Sequence, residues 1–199
     1  MKEKLTLRNV ILWGVASVLV ILFVASFLAS IKWTGTMDGT YGTITLPHGF
    51  WGASAMVFAG GGYHAAEFVP VAARRGSVVG IIGVILLFLS AGGIALITLL
   101  LKDEKLKKIL TFVIAGVILV AGVLMFFTGG AFYYAYAKYM RVVEGIPITV
   151  DQVKAALSNG HAYCVYGIVA GVFSILLAAG IVVSQLVIKD FKFIKSKEA

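Results

Sequence analysis

The sequence predicts an all-α membrane protein: a four-transmembrane-helix bundle with a small extracellular β-hairpin or sheet in its first outer loop. Three observations carry that expectation. Four long apolar runs, at about residues 10–31, 76–101, 109–140 and 161–188, each reach the ~20 residues that a helix needs to cross a ~30 Å hydrocarbon core. Only 13% of the residues are charged while 60% are hydrophobic, whereas a soluble domain carries about 25% charged residues. Strand signals are confined to the stretch between the first two runs. One membrane domain therefore spans residues 1–199, with outer loops at 32–75 and 141–160.

The first run, Val10–Ile31, follows a basic lead-in of Lys2, Lys4 and Arg8. Its 22 residues exceed a typical signal-peptide core, so a retained first helix is expected. Trp13 and Trp33 bracket it in the manner of interfacial anchors. The loop that follows reads as a hairpin. Trp33–Met37 and Thr40–Leu46 flank Asp38-Gly39, a dipeptide that supplies the positive φ angles of a tight turn, and the threonines favour extended backbone. Pro47 ends the second strand. Residues 48–73 are nearly apolar, with Glu67 their only charge.

That apolar stretch raises the question of a fifth helix, which the distribution of Lys and Arg answers. With four helices, eleven of the 17 basic residues lie inside together with both termini; with five, eight lie inside with the N-terminus and nine outside. Cytoplasmic loops carry the excess of Lys and Arg, so four helices are expected, both termini cytoplasmic, in the cell membrane. Gly76–Leu101 and Ile109–Ala137 form the central hairpin, joined through a segment holding Lys102, Lys105, Lys107 and Lys108. The second of these runs past the bilayer, because Phe132, Tyr133, Tyr134, Tyr136 and Tyr139 suit the interface and beyond. In the second outer loop, Thr149–Leu157 reads as a short helix with Thr149 at its N-cap. A last helix from about His161 to Ile188 leads into a lysine-rich tail.

Lipid tails are as apolar as leucine, so membrane helices associate through close packing over small residues. Gly76, Gly80, Gly83 and Ser90 share a face of the second helix. Ala115, Gly122 and Gly129 recur every seven residues on the third, and Gly167, Gly171, Ser174 and Ala178 line the fourth. Packing within one bundle is the expected use of these faces, and homodimerisation the alternative.

Residues with chemistry are few. No side chain more polar than Ser, Thr or Cys lies at mid-depth in a helix, and intramembrane ionisable groups are the usual mark of pumps and relays. The single cysteine, Cys164, excludes an intrachain disulfide and a cysteine-based metal site. His48, His64 and His161 all belong to the outer side, without the paired spacing that a haem or metal site would need. Glu67 with Arg74 or Arg75 reads as a loop ion pair. Gly60-Gly61-Gly62 lacks the Lys-Ser/Thr and the strand–helix frame of a phosphate loop. No cofactor, metal, enzymatic activity or nucleic-acid partner is expected, since the basic residues form short clusters at helix ends.

The layout resembles the claudin and peripheral myelin protein superfamily of tetraspan proteins. Trp33 matches the first tryptophan of that family's outer loop, Gly49-Phe50-Trp51 is similar to its Gly-Leu-Trp, and Ala72-Ala73-Arg74 resembles the loop's end. The long third helix is also similar. The family's two loop cysteines have no counterpart here, so its stapling disulfide is absent and any outer sheet needs another support. The resemblance implies a non-enzymatic protein that makes lateral or cell–cell contacts with other membrane proteins or itself, or serves as an accessory subunit of a membrane complex. Two other readings stay open: a haem- or quinone-binding subunit of a redox complex using the histidines, and a small channel or transporter component.

Overall fold

The computed structural model describes residues 6–37, 40–46, 56–59, 62–63, 78–142 and 144–187. Thr6 caps the first helix, α1 (Leu7–Ala25), by accepting a hydrogen bond from the Asn9 N–H at 3.3 Å. A 3-10 turn over Ser26–Leu28 ends it, with the Ser26 hydroxyl donating to the Phe23 carbonyl at 2.6 Å. The helix thus stops short of Ile31, which instead opens strand β1 (Ile31–Met37). Apolarity misplaced this boundary because a buried strand is as apolar as a membrane helix. Ile31 and Trp33 are fully buried beneath a sheet, so Trp33 is not an interfacial anchor.

Helix α2 (Val78–Leu100) and helix α3 (Glu104–Phe126) are joined by three residues only. The Asp103 carboxylate accepts from the Lys105 and Leu106 N–H groups at 2.8 and 3.3 Å. This cap winds Glu104–Lys108 into the start of α3, whereas the charge pattern puts these residues in a loop and the helix start at 109. Hydropathy reports where the bilayer ends, whereas the cap decides where the helix begins.

After a 3-10 segment over Phe127–Gly130, α4 (Ala131–Val142) continues the same rod. Thr128 donates to the Met125 carbonyl at 2.7 Å and Gly129-Gly130 follows, which together tighten this turn. The apolar stretch Glu104–Lys138 counts 35 residues, about 50 Å at 1.5 Å per residue, well beyond a ~30 Å hydrocarbon core. In α4, Phe132 is fully buried and stacks on Tyr136 at 5.6 Å.

Helix α5 (Val150–Ala156) starts at a capping box, in which the Gln152 N–H donates to the Thr149 hydroxyl at 3.3 Å and the Thr149 N–H to Gln152 Oε1 at 2.7 Å. The final helix, α6 (Val165–Val187), begins later than His161. Gly160–Tyr163 is instead strand β5, recruited by β1.

The helices pack in the cycle α1–α2–α3–α6, and α6 returns to α1. Leu12, Leu19, Leu87, Ile94, Ile118, Met125 and Ile181 fill the centre. Among the described residues four helices are long and apolar enough to cross a membrane, and only a third or so of each span is buried within the chain. Ile21, Leu89, Val113, Val120 and Leu176 face outward, as side chains in contact with hydrocarbon do.

The outer element is larger than a hairpin. Strands β2 (Thr40–Leu46), β3 (Met56–Ala59) and β4 (Gly62–Tyr63) join β1 and β5 in an antiparallel sheet of order β4-β3-β2-β1-β5. The pair Met37↔Thr40 leaves two positions for the turn at Asp38-Gly39, which lies outside the described residues.

Candidate functional site: the outer sheet and its mooring

Side chains alternate between the faces of a strand, and β1 and β2 divide cleanly. Ile31, Trp33 and Gly35 pair with Leu46, Ile44 and Gly42 on the inner face; Lys32, Thr34 and Thr36 pair with Thr45, Thr43 and Tyr41 on the outer. The inner face centres on Trp33, which is 0% exposed, and its Nε1–H donates to the Leu157 carbonyl at 3.2 Å. This bond ties β1 to the end of α5 across 124 residues of chain.

Two glycines make room for the indole. Gly35 pairs with Gly160, and a Cβ at either would collide with the Trp33 ring. The Thr36 N–H also donates to the Asn159 carbonyl at 3.1 Å, which extends the β1–β5 ladder. Strand β5 in turn lies against the third helix, since a Cβ on Gly129 would sit 2.7 Å from the Ala162 carbonyl oxygen. Sheet, Trp33, β5 and Gly129 therefore form one connected stack above the bundle. At the same end the Tyr166 hydroxyl donates to the Leu22 carbonyl at 2.7 Å, bridging α6 to α1.

The outer face is polar. The Thr34 hydroxyl lies 3.3 Å from both the Thr43 and the Tyr163 hydroxyls, and Tyr41 is 72% exposed. His161, opposite Thr34, is exposed on this same face. His48 and His64 lie outside the described residues, as do Gly49, Phe50, Trp51, Glu67, Arg74, Arg75 and Gly76. Among the described residues no group of three His, Cys, Asp or Glu side chains could hold a metal ion. Beside the sheet, the Lys154 ammonium sits 6.0 Å above the Tyr134 ring, linking α5 to α4.

The small residues of the helices meet one another inside the chain. Gly80, Gly83, Ser90 and Ala115 are buried. Gly122 and Gly171 face each other, each so close to the other's carbonyl that a Cβ would lie 2.9–3.1 Å from it. Gly167 abuts the Thr128 side chain and the Met125 carbonyl, and Gly83 lies against α3 at Ala121. Ser174 and Ala178 are buried on the same side of α6. The Gly167–Gly171 face is thus occupied by α3 of the same chain.

Cys164 is buried just ahead of α6, where its Sγ accepts the Gly167 N–H at 3.4 Å. Burial pushes its thiol pKa above the ordinary value, against smaller opposing hydrogen bonds from Gly167, Thr128 and Tyr166. It is a helix-capping and packing group. Sequence reasoning missed Gly35, Gly160, Leu157 and the whole of β5. Only the Asn159-Gly160 break after α5 hinted at a chain reversal there, and nothing local named its partner strand.

No protein-family model matches the chain, and no curated protein matches it.

Proposed function

We propose that this protein is a non-enzymatic, claudin-like multi-pass membrane protein whose outer sheet makes contacts with other membrane proteins or with further copies of itself. One observation supports the reading above the rest: the sheet is fastened to the bundle through Trp33 and β5, so its hydroxyl-rich outer face is held as a rigid surface. Rigid presentation lowers the ordering cost of association. The claudin resemblance rests on the sequence alone, and in this reading the Trp33 hydrogen bond to Leu157 supports the sheet where that family has a disulfide.

The test is reconstitution of the full chain in liposomes. Labelled copies in one membrane should show energy transfer that survives dilution with lipid if contacts are lateral. Protein-bearing liposomes should cluster if contacts bridge membranes. Substitution of Tyr41 and Thr43 by Arg should abolish whichever signal is seen. Neither signal, or signals indifferent to those substitutions, rules out the sheet as a contact surface between copies. The visible absorption spectrum of the purified protein separates this reading from a haem-carrying one.

The excess of Lys and Arg around the termini and the α2–α3 turn supports a cytoplasmic placement of both. A cysteine introduced at Lys105 should then be labelled only from the cytoplasm and one at Asp151 only from outside. The opposite pattern inverts the topology.

A further inference from the structure

The turn between α2 and α3 combines two features that the packing of the bundle does not use. The first is charge. Within residues 102–108, four lysines (Lys102, Lys105, Lys107 and Lys108) stand beside two acids, Asp103 and Glu104, and the Asp103 carboxylate accepts from two backbone N–H groups of the helix cap. Lys102, Lys105 and Lys108 are exposed, and among the described residues no ion pair engages them. The second feature is an apolar track that starts at these lysines. Lys105, Ile109, Val113, Gly116 and Val120 follow at intervals of three or four residues and are all exposed, so they form one outward stripe along α3. Leu106 is exposed beside it, and Leu100, at the end of α2, is 71% exposed.

We propose that this turn is a binding site for anionic phospholipids, with Lys102, Lys105 and Lys108 holding the headgroup phosphate and the Ile109–Val113–Val120 stripe seating an acyl chain. A lysine at the head of a lipid-facing stripe extends its stem along the hydrocarbon and delivers its ammonium to phosphate depth. Lys102 precedes the helix and Lys105 and Lys108 lie three residues apart at its start, so all three exposed lysines belong to the same end of the bundle. Negative headgroups complement them, whereas zwitterionic ones present a balancing choline. Clusters of this kind beside a membrane helix attract anionic lipid at about 1 kcal/mol per basic residue, or about fivefold in binding for each lysine. The attraction weakens with salt.

The experiment is a lipid titration of the full-length protein in detergent, read by native mass spectrometry with phosphatidylglycerol and phosphatidylcholine of identical chains. Phosphatidylglycerol should be retained preferentially, and Lys102→Gln, Lys105→Gln and Lys108→Gln should each lower that preference about fivefold. Lys138→Gln with Lys154→Gln, at the other end of the bundle, should leave it unchanged, and unaltered thermal stability of all variants shows that they fold. Inorganic phosphate at millimolar concentration should not displace the lipid, because it lacks the acyl chain that the stripe holds. Equal retention of the two lipids, a preference carried by the tail lysines (Lys189, Lys192, Lys195 and Lys197 to Gln) instead, or full displacement by inorganic phosphate would each overturn the proposal.

Discussion

The bundle and the outer sheet solve the same problem, holding two pieces of chain together, by opposite means. Between α3 and α6 the contact is made by what is missing: Gly122 and Gly171 have no side chains, and the two backbones touch. In lipid no hydrophobic drive brings helices together, so close packing must suffice. In the sheet the contact is made by the largest side chain available. Trp33 is buried whole and its one polar atom is satisfied by Leu157. Glycines serve both regions, yet in the sheet Gly35 and Gly160 make space for a ring, while in the bundle Gly122 and Gly171 make space for a backbone. Damage to one region should therefore leave the other standing.

The largest separation of the two should come from Trp33→Ala or Gly160→Val. Truncating a buried tryptophan costs about 3–5 kcal/mol, and a valine at position 160 drives into the same ring. Either change should open strands β1 and β2 to limited proteolysis while the four helices stay inserted. Joint loss of sheet and bundle would show that the two are a single cooperative unit.

The converse break is Gly171→Leu, which forces α3 and α6 apart at a cost of about 1–3 kcal/mol or more. The thermal midpoint of the monomer in detergent should fall, with protease resistance of the sheet kept below that midpoint. An unchanged midpoint together with a lost dimer would assign this face to association instead.

A finer probe is Trp33→Phe, which keeps a ring but removes the hydrogen bond to Leu157. Leaving that carbonyl unpaired should cost about 1–3 kcal/mol, near the low end if water reaches it. The effect should appear as a partial gain in proteolysis, smaller than that of Trp33→Ala. Equality of the two would mean that the hydrogen bond and not the ring carries the mooring.

The smallest effect belongs to Cys164, at the seam between the regions. Its raised thiol pKa means that the folded state holds the proton more tightly than the unfolded one. The resulting stabilisation is fully present below about pH 8.5, the ordinary thiol value, and fades as pH rises through the folded value. Alkylation by maleimide should be slow at neutral pH and should become fast on unfolding. Rapid labelling of the native protein would place the thiol in an accessible site.

The hairpin was legible because β1 and β2 are adjacent in sequence and Asp38-Gly39 marks the reversal between them. Two strands are marginal in water, so the hairpin requires a further support. The support is β5, whose four residues Gly-His-Ala-Tyr carry no strand pattern and abut an apolar helix. Their apolar surroundings make them read as the start of that helix, just as Ile31 reads as the end of the first.

By itself the sequence determined the four spans, the long third helix, the α5 cap at Thr149 and the hairpin, because each is dictated within a window of a few turns by hydrophobic length, a capping side chain or a turn dipeptide. Tertiary structure alone decided where helix and strand exchange at Ile31 and Cys164, that five strands rather than two form the sheet, and which carbonyl the buried Trp33 indole meets. Those outcomes depend on β1 meeting β5 and on Leu157 offering its carbonyl 124 residues away. A pairing between distant segments leaves no mark in either segment's own hydrophobicity, so only the folded chain records it.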